Sequence, residues 1–243
     1  MALEEQFSRT AMLMGHAALD VLRASKVAVF GVGGVGGYAV EALARSGVGT
    51  LHLYDNDLVS ESNINRQIIA THSTVGQLKV EVARERVKDI SPACQVEVFP
   101  MFYLPENANE VDLSAYDYVL DCVDTVKAKL ELIRRCHKLG VPLISCMGAA
   151  NKIRANAFKV ADLSKTSVDP LAKVLRKQLR KEGIEHVKVV FSEEEPLSPL
   201  CPTEVEGRPI PASNAFVPAS AGLLMGGEVV MDLIAKANAR RKT

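Results

Sequence analysis

The stretch Val27–Gly47, VAVFGVGGVGGYAVEALARSG, decides the fold. The apolar run Val27–Phe30 ends in Gly31-Val32-Gly33-Gly34-Val35-Gly36, and an Ala-rich pattern with Val40, Leu43 and Ala44 on one side follows. Glycines at 31, 33 and 36 permit a tight turn, close approach of a pyrophosphate, and a close helix–strand contact. The first N–H groups of the helix then face the anion. Asp55 ends the next apolar run, where an acid that binds a ribose belongs. On these features alone a dinucleotide such as NAD fits the loop.

The neighbouring segments extend this unit. Strand patterns at 26–30, 50–54, 95–99, 116–121 and 142–145 alternate with helical patterns at 36–45, 78–90 and 126–139. Such alternation predicts an α/β fold, a Rossmann-like and mostly parallel sheet with helices on both faces. A helix over 9–22, interrupted by Gly15, precedes it. The nucleotide-binding core spans about 24–148. An extension over 149–243 adds strands at 154–160 and 187–191, a basic helix at 170–181 and a final helix at 220–238, within one domain. Between the last two lies a segment, 193–218, rich in proline and too long for an ordinary connection; it predicts a crossover or a flap.

Composition narrows the function. Lys plus Arg and Asp plus Glu each number 29, so no global field draws the 243-residue chain to nucleic acid or membrane. The uncharged run Ala215–Gly227 is shorter than the roughly 20 residues of a spanning helix, and the N-terminus lacks a secretory pattern, so no membrane span and a cytoplasmic location are expected. Five cysteines without a C-x-x-C pair predict a reducing compartment and no zinc. Cys146 ends an apolar strand and reads as a buried thiol; Cys201 lies in the Pro-rich segment.

The residues after the second strand separate NAD from ATP. YDNDLVSESNINRQIIATHSTVGQLKVE carries Asp55 and Asp57, then Asn63, Arg66, Gln67 and Lys79. A dinucleotide site needs one acid and little added positive charge, whereas a bound ATP carries about four negative charges to neutralise with cations and Mg²⁺. The fourth strand brings Asp121 and Asp124 to the same carboxyl edge, where open α/β sheets bind ligands and an acid can hold Mg²⁺. Singly, each charge is an ordinary surface residue. Together they favour ATP.

Gly31-x-Gly33-Gly34-x-Gly36, Asp55-x-Asp57, Asn63-x-x-Arg66-Gln67, Val75-Gly76-Gln77-x-Lys79 and Asp121-Cys122-x-Asp124 resemble the ThiF-type adenylating family, over about Arg9 to Gly148. The resemblance implies attack of a carboxylate on the α-phosphate of ATP, giving an acyl-adenylate and pyrophosphate. It implies that Asp55 holds the ribose, that Asn63, Arg66 and Lys79 grip the phosphates, and that Asp124 serves Mg²⁺ and the leaving pyrophosphate. Such enzymes often carry R-[YF]-x-R near the N-terminus. Here Gln6-Phe7-Ser8-Arg9 keeps the second arginine, which implies a homodimer in which Arg9 reaches the neighbouring subunit's ATP.

VADLSKTSVDPLAKVLRKQLRKEG (160–183) and SNAFVPASAGLLMGGEVV (213–230) resemble a narrower subgroup, the tRNA threonylcarbamoyladenosine dehydratases. That resemblance implies adenylation of a threonyl carboxylate on tRNA, then cyclisation by an oxygen of its own ureido group, with no protein nucleophile. A neutral protein then needs a local cationic surface for tRNA. Lys165, Lys173, Arg176, Lys177, Arg180 and Lys181 supply one, and Arg240, Arg241 and Lys242 a second. Leu171, Val174, Leu175 and Leu179 give the basic helix an apolar face, so packing alone also explains it. Two other readings stay open: an adenylyltransferase for the C-terminal glycine of a ubiquitin-like sulfur carrier, and an NAD-dependent oxidoreductase. A sulfur-transfer protein is a further candidate partner that no residue in the sequence identifies.

Overall fold

Along β1 (Lys26–Phe30), Val27 and Val29 enter one core layer while Ala28 and Phe30 enter the other, because successive side chains on a strand point to opposite faces. Strands covered on both faces read as near-continuous apolar runs, and β1 is apolar from Val27 to Phe30. The structure is a computed structural model and describes residues 5–205 and 207–240.

Around β1 stand β2 (Thr50–Tyr54), β3 (Gln95–Phe99), β4 (Tyr118–Asp121), β5 (Leu143–Cys146), β6 (Phe158–Asp162) and β7 (Lys188–Ser192). Their order is β3-β2-β1-β4-β5-β7-β6. All neighbours run parallel except β6, which is antiparallel to β7. The order reverses between β1 and β4, and the crevice at their carboxyl ends is where such sheets bind ligands.

The helices are α1 (Ser8–Met14), α2 (His16–Ala24), α3 (Gly36–Arg45), α4 (Lys79–Ile90), α5 (Val126–Leu139), α6 (Pro170–Arg180) and α7 (Val217–Arg240). Helices α2, α3, α4 and α7 cover one face of the sheet, and α5 and α6 the other. α7 has the length and hydropathy of a spanning helix, yet Val217, Ala221, Met225, Val229, Val230 and Leu233 are buried in the core. It is a core helix, and the sheet end of Lys188 holds it by ion pairs to Glu228 at 2.7 Å and Asp232 at 2.7 Å.

Two expectations need correction. The single helix expected over 9–22 is two, because Gly15 at φ +87° breaks the helical path. The strand expected at 154–160 begins only at Phe158, after a short 3-10 turn at Ala155–Ala157. The 193–218 segment, expected as a crossover or a flap, carries a small hairpin of β8 (Glu204–Val205) and β9 (Arg208–Pro209). Arg241 and Lys242 lie outside the described residues.

Candidate active site

The turn after β1 is built by close backbone approaches. Gly31 sits at φ +87°, and a Cβ there would lie 2.8 Å from the Cys122 carbonyl oxygen. A Cβ on Gly36 would lie 1.8 Å from the Gly31 carbonyl oxygen, so helix and strand meet only because neither residue has a side chain. Gly33 differs: a Cβ there would meet nothing nearer than Gln67 Nε2 at 3.7 Å. The fold does not require a glycine at 33, but a ligand lying against that backbone would.

Above this turn opens a cavity of about 510 Å³, lined by Gly31, Gly33, Gly34, Asp55, Asp57, Asn63, Arg66, Gln67, Lys79 and Asp124, among others. Its base is positive by construction. α3 and α4 both begin here, and the first N–H groups of a helix have no intrahelical acceptor. Lys79 occupies the first residue of α4, where a cation is disfavoured by the helix dipole, by about 0.3–1 kcal/mol. It is buried and held by Asp57, with Nζ donating to Oδ2 at 2.6 Å. Arg66 donates from Nη1 to the Ser62 carbonyl at 2.8 Å and to Asn65 Oδ1 at 2.9 Å. Asn63 is buried and closes a capping box, its Oδ1 accepting the Ser60 N–H at 3.1 Å.

Asp55 accepts the N–H of Val32 at 2.7 Å and of Asp57 at 2.9 Å. Burial pushes its carboxyl above the usual range, against the opposing pull of Lys79 and these two N–H groups. Asp124 is exposed on the β4–α5 turn, with Thr125 Oγ1 donating to it at 3.3 Å. Two buried polar atoms in the cavity wall, Gln67 Oε1 and Tyr103 Oη, have no hydrogen-bond partner among the described residues. Buried polar atoms in folded proteins are almost always satisfied, so these two are exceptions, and both belong to residues that line the cavity.

Asp121 does not line the cavity. The alternation along β4 turns it with Val119 toward α5, where it is fully buried. Lys129 Nζ, equally buried, donates to Asp121 Oδ1 at 3.1 Å and to the Cys146 carbonyl at 2.7 Å, and Ser145 Oγ donates to Asp121 Oδ2 at 2.5 Å. The pair ties the ends of β4 and β5 together beneath the cavity. Arg9 is exposed on α1 and does not line this chain's cavity either.

Of the basic helix, Lys173, Lys177, Arg180 and Lys181 are exposed. Arg176 is not a surface cation: its Nη1 donates to the Leu163 and Thr166 carbonyls at 3.3 and 2.9 Å and to Thr166 Oγ1. It clasps the turn before α6. All five cysteines are unpaired, and burial pushes the Cys146 thiol up to about 12, so it is no nucleophile at neutral pH. Cys201 is exposed.

Sequence reading missed the far wall. Met147, Gly148, Ala149 and Ala150 follow β5 and line the cavity, as do Ile210, Pro211 and Ser213 from the Pro-rich segment. Asn151 pins that segment at both ends of its excursion. Its carbonyl accepts the Leu197 N–H at 2.7 Å, its Oδ1 accepts the Ala212 N–H at 2.7 Å, and its N–H donates to the Ala212 carbonyl at 2.8 Å. No sequence signal announces this, apart from an Asn that sits at φ +58°.

Comparison with known proteins identifies the family. The ThiF family signature matches residues 7–238. A tRNA threonylcarbamoyladenosine dehydratase of Bacillus subtilis is 49% identical over 240 residues, 94% of each chain. The Escherichia coli protein of the same name is 41% identical over 181 residues, 74% of this chain and 68% of that one. The crystal structure of E. coli tRNA N6-threonylcarbamoyladenosine dehydratase, TcdA, in complex with AMP superposes with a TM-score of 0.89 at 35% identity, covering 98% of this chain and 99% of that one. A second crystal structure of TcdA, in complex with ATP, also has a TM-score of 0.89.

Proposed function

This chain belongs to the ThiF family, and on that premise we propose that it adenylates the threonyl carboxylate of threonylcarbamoyladenosine in tRNA and then closes the ring. One observation carries the reading: Arg66, Lys79 and Asp124, far apart in sequence, line one cavity with two helix N-termini at its base. Membership in the family removes the oxidoreductase reading of the glycine loop.

The triphosphate lies over Gly33 and the start of α3, with Asp55 toward the ribose. Asn63, Arg66, Gln67 and Lys79 meet the phosphates and offset their charge. One carboxylate oxygen of the substrate attacks the α-phosphorus, the bond to the β-phosphate bridge breaks, and pyrophosphate leaves. The ureido oxygen then attacks the activated carbonyl carbon, a ureido N–H proton is lost, and AMP departs with the oxygen that the carboxylate contributed. Both nucleophiles belong to the substrate, which suits a cavity whose thiols are buried.

Mg²⁺ fits only as a shared ion. No cluster of three or more His, Cys, Asp or Glu among the described residues could hold a metal; of the exposed carboxylates that line the cavity, Asp57 is paired with Lys79 and Asp124 has no cation beside it. Mg²⁺ characteristically takes one or two carboxylates plus substrate phosphates, and there it would neutralise developing charge. We assign Lys173, Lys177, Arg180 and Lys181 to the tRNA backbone. A homodimer with Arg9 acting on the neighbouring subunit's ATP is supported by α1, which leaves Met12 and Leu13 exposed at 87% and 83%. A cytoplasmic setting suits five unpaired thiols.

Labelled pyrophosphate exchange into ATP tests the reading. Exchange stimulated by tRNA carrying threonylcarbamoyladenosine, and by no ubiquitin-like carrier protein, supports it. Exchange stimulated by the carrier alone overturns it in favour of the sulfur-carrier alternative.

A further inference from the structure

Val168 adopts φ +64°, a conformation that β-branched residues avoid. The Asp169 N–H donates to the Ser167 carbonyl at 2.6 Å, so Ser167–Asp169 is a strained γ-turn with a valine at its centre. Strain of this kind persists where the surroundings over-determine it. Here the surroundings are the partners of one side chain.

The Asp169 carboxylate is fully buried and fully used. Oδ1 accepts the Ala172 N–H at 2.9 Å and caps α6, with Pro170 preset as the first helical residue. Oδ2 accepts the Gly148 N–H at 3.1 Å and faces the buried Lys152 ammonium at 3.4 Å. A Cβ on Gly148 would itself lie 3.1 Å from Oδ2, so the loop rests directly on this oxygen. Gly148 and Lys152 bracket the cavity wall that follows β5. Asn151 within that bracket pins the Pro-rich segment, and the Lys152 carbonyl accepts from Asn214 Nδ2 at 2.8 Å.

Sheet order says which half of the cavity this wall serves. The nucleotide elements come from the ends of β1 and β2, while β5 lies two strands beyond β1, roughly 10 Å away at about 4.8 Å per strand. The β5 wall therefore bounds the half left for the carboxylate substrate.

We propose that Asp169 is a positioning residue for the acyl half of the cavity: its carboxylate, set by the γ-turn at Val168, locks the Gly148–Lys152 wall and the Pro-rich strap to the start of α6. The substrate carboxylate, delivered with a tRNA held along α6, then meets the α-phosphate against a wall that cannot retreat from that helix. This rests on the adenylating reading above. Asp169 touches neither ATP nor the reacting atoms, so its loss acts on turnover and not on nucleotide affinity.

The test is the double variant Asp169→Ser with Lys152→Met, in the full-length protein. Serine keeps the helix cap but is too short to reach Gly148, and methionine leaves no buried charge unpaired. Expected are an intact fold by circular dichroism, ATP affinity within about threefold of wild type, kcat lowered by about 100-fold as for a misplacement near 1 Å, and amide exchange at 148–151 faster by about tenfold or more. Unchanged exchange at 148–151, or turnover within threefold of wild type, overturns the proposal. If the double variant does not fold, Val168→Pro, which cannot adopt the positive φ, takes its place with the same readouts. Faster exchange in a protein whose wild type makes no AMP with tRNA would sink the substrate reading and leave the strut standing.

Discussion

Replacing Gly33 by alanine separates binding from folding. Gly33 has no positive φ, and an added methyl group meets only the end of a flexible glutamine at 3.7 Å. A Gly→Ala change at a compatible site stabilises by about 0.4–1 kcal/mol, through a less disordered unfolded chain. For a chain of this size that is a rise in Tm of about 1–4 °C. The same methyl group occupies the space through which a phosphate would reach the N–H groups at the start of α3. Losing one charge-assisted hydrogen bond costs about 1.5–3 kcal/mol, equivalent to a Kd weaker by about 10- to 100-fold. Calorimetric titration with ATP and a melt without nucleotide measure the two effects in one preparation. A Gly33→Ala protein that binds ATP within twofold of wild type would refute the reasoning, since the phosphates would then lie elsewhere. Gly36→Ala is the contrasting control; its Cβ would lie 1.8 Å from a carbonyl oxygen and should prevent folding.

Arg66→Ala and Asp124→Ala should each abolish AMP formation while leaving the melt unchanged, as expected of side chains at the cavity surface; wild-type turnover in either removes that residue from the mechanism. Lys129→Met leaves the Asp121 carboxylate buried without its cation, a loss of about 3–5 kcal/mol; the melt should fall by about 6–20 °C, and the added Asp121→Asn should recover most of it. A fall below 2 °C would mean that the pair is not closed. Iodoacetamide at neutral pH should modify Cys201 and spare Cys146, whose thiol burial has pushed up to about 12; Cys146→Ser should keep full turnover, and its inactivity would reinstate a thiol relay.

The glycine loop, the strand–helix alternation and the cations after β2 were legible because each is local: a turn, a period and a cluster. Features that depend on distant partners were not. Asp121 reads like Asp124 in the sequence, yet the period of two along β4 sends it toward α5, and Lys129 on that helix's inner face was the available sign. Arg176 sits among lysines at the same spacing, but two carbonyls of the preceding turn claim it. The strap beside the β5 wall depends on Asn151, whose backbone conformation no periodicity encodes.

Oxygen transfer tests the central claim most directly. With both threonyl carboxylate oxygens of the tRNA substrate labelled as ¹⁸O, one turnover should yield pyrophosphate and AMP carrying a single ¹⁸O, read by mass spectrometry. Cyclic product accompanied by unlabelled AMP, or by ADP and labelled phosphate, would contradict attack of that carboxylate on the α-phosphorus.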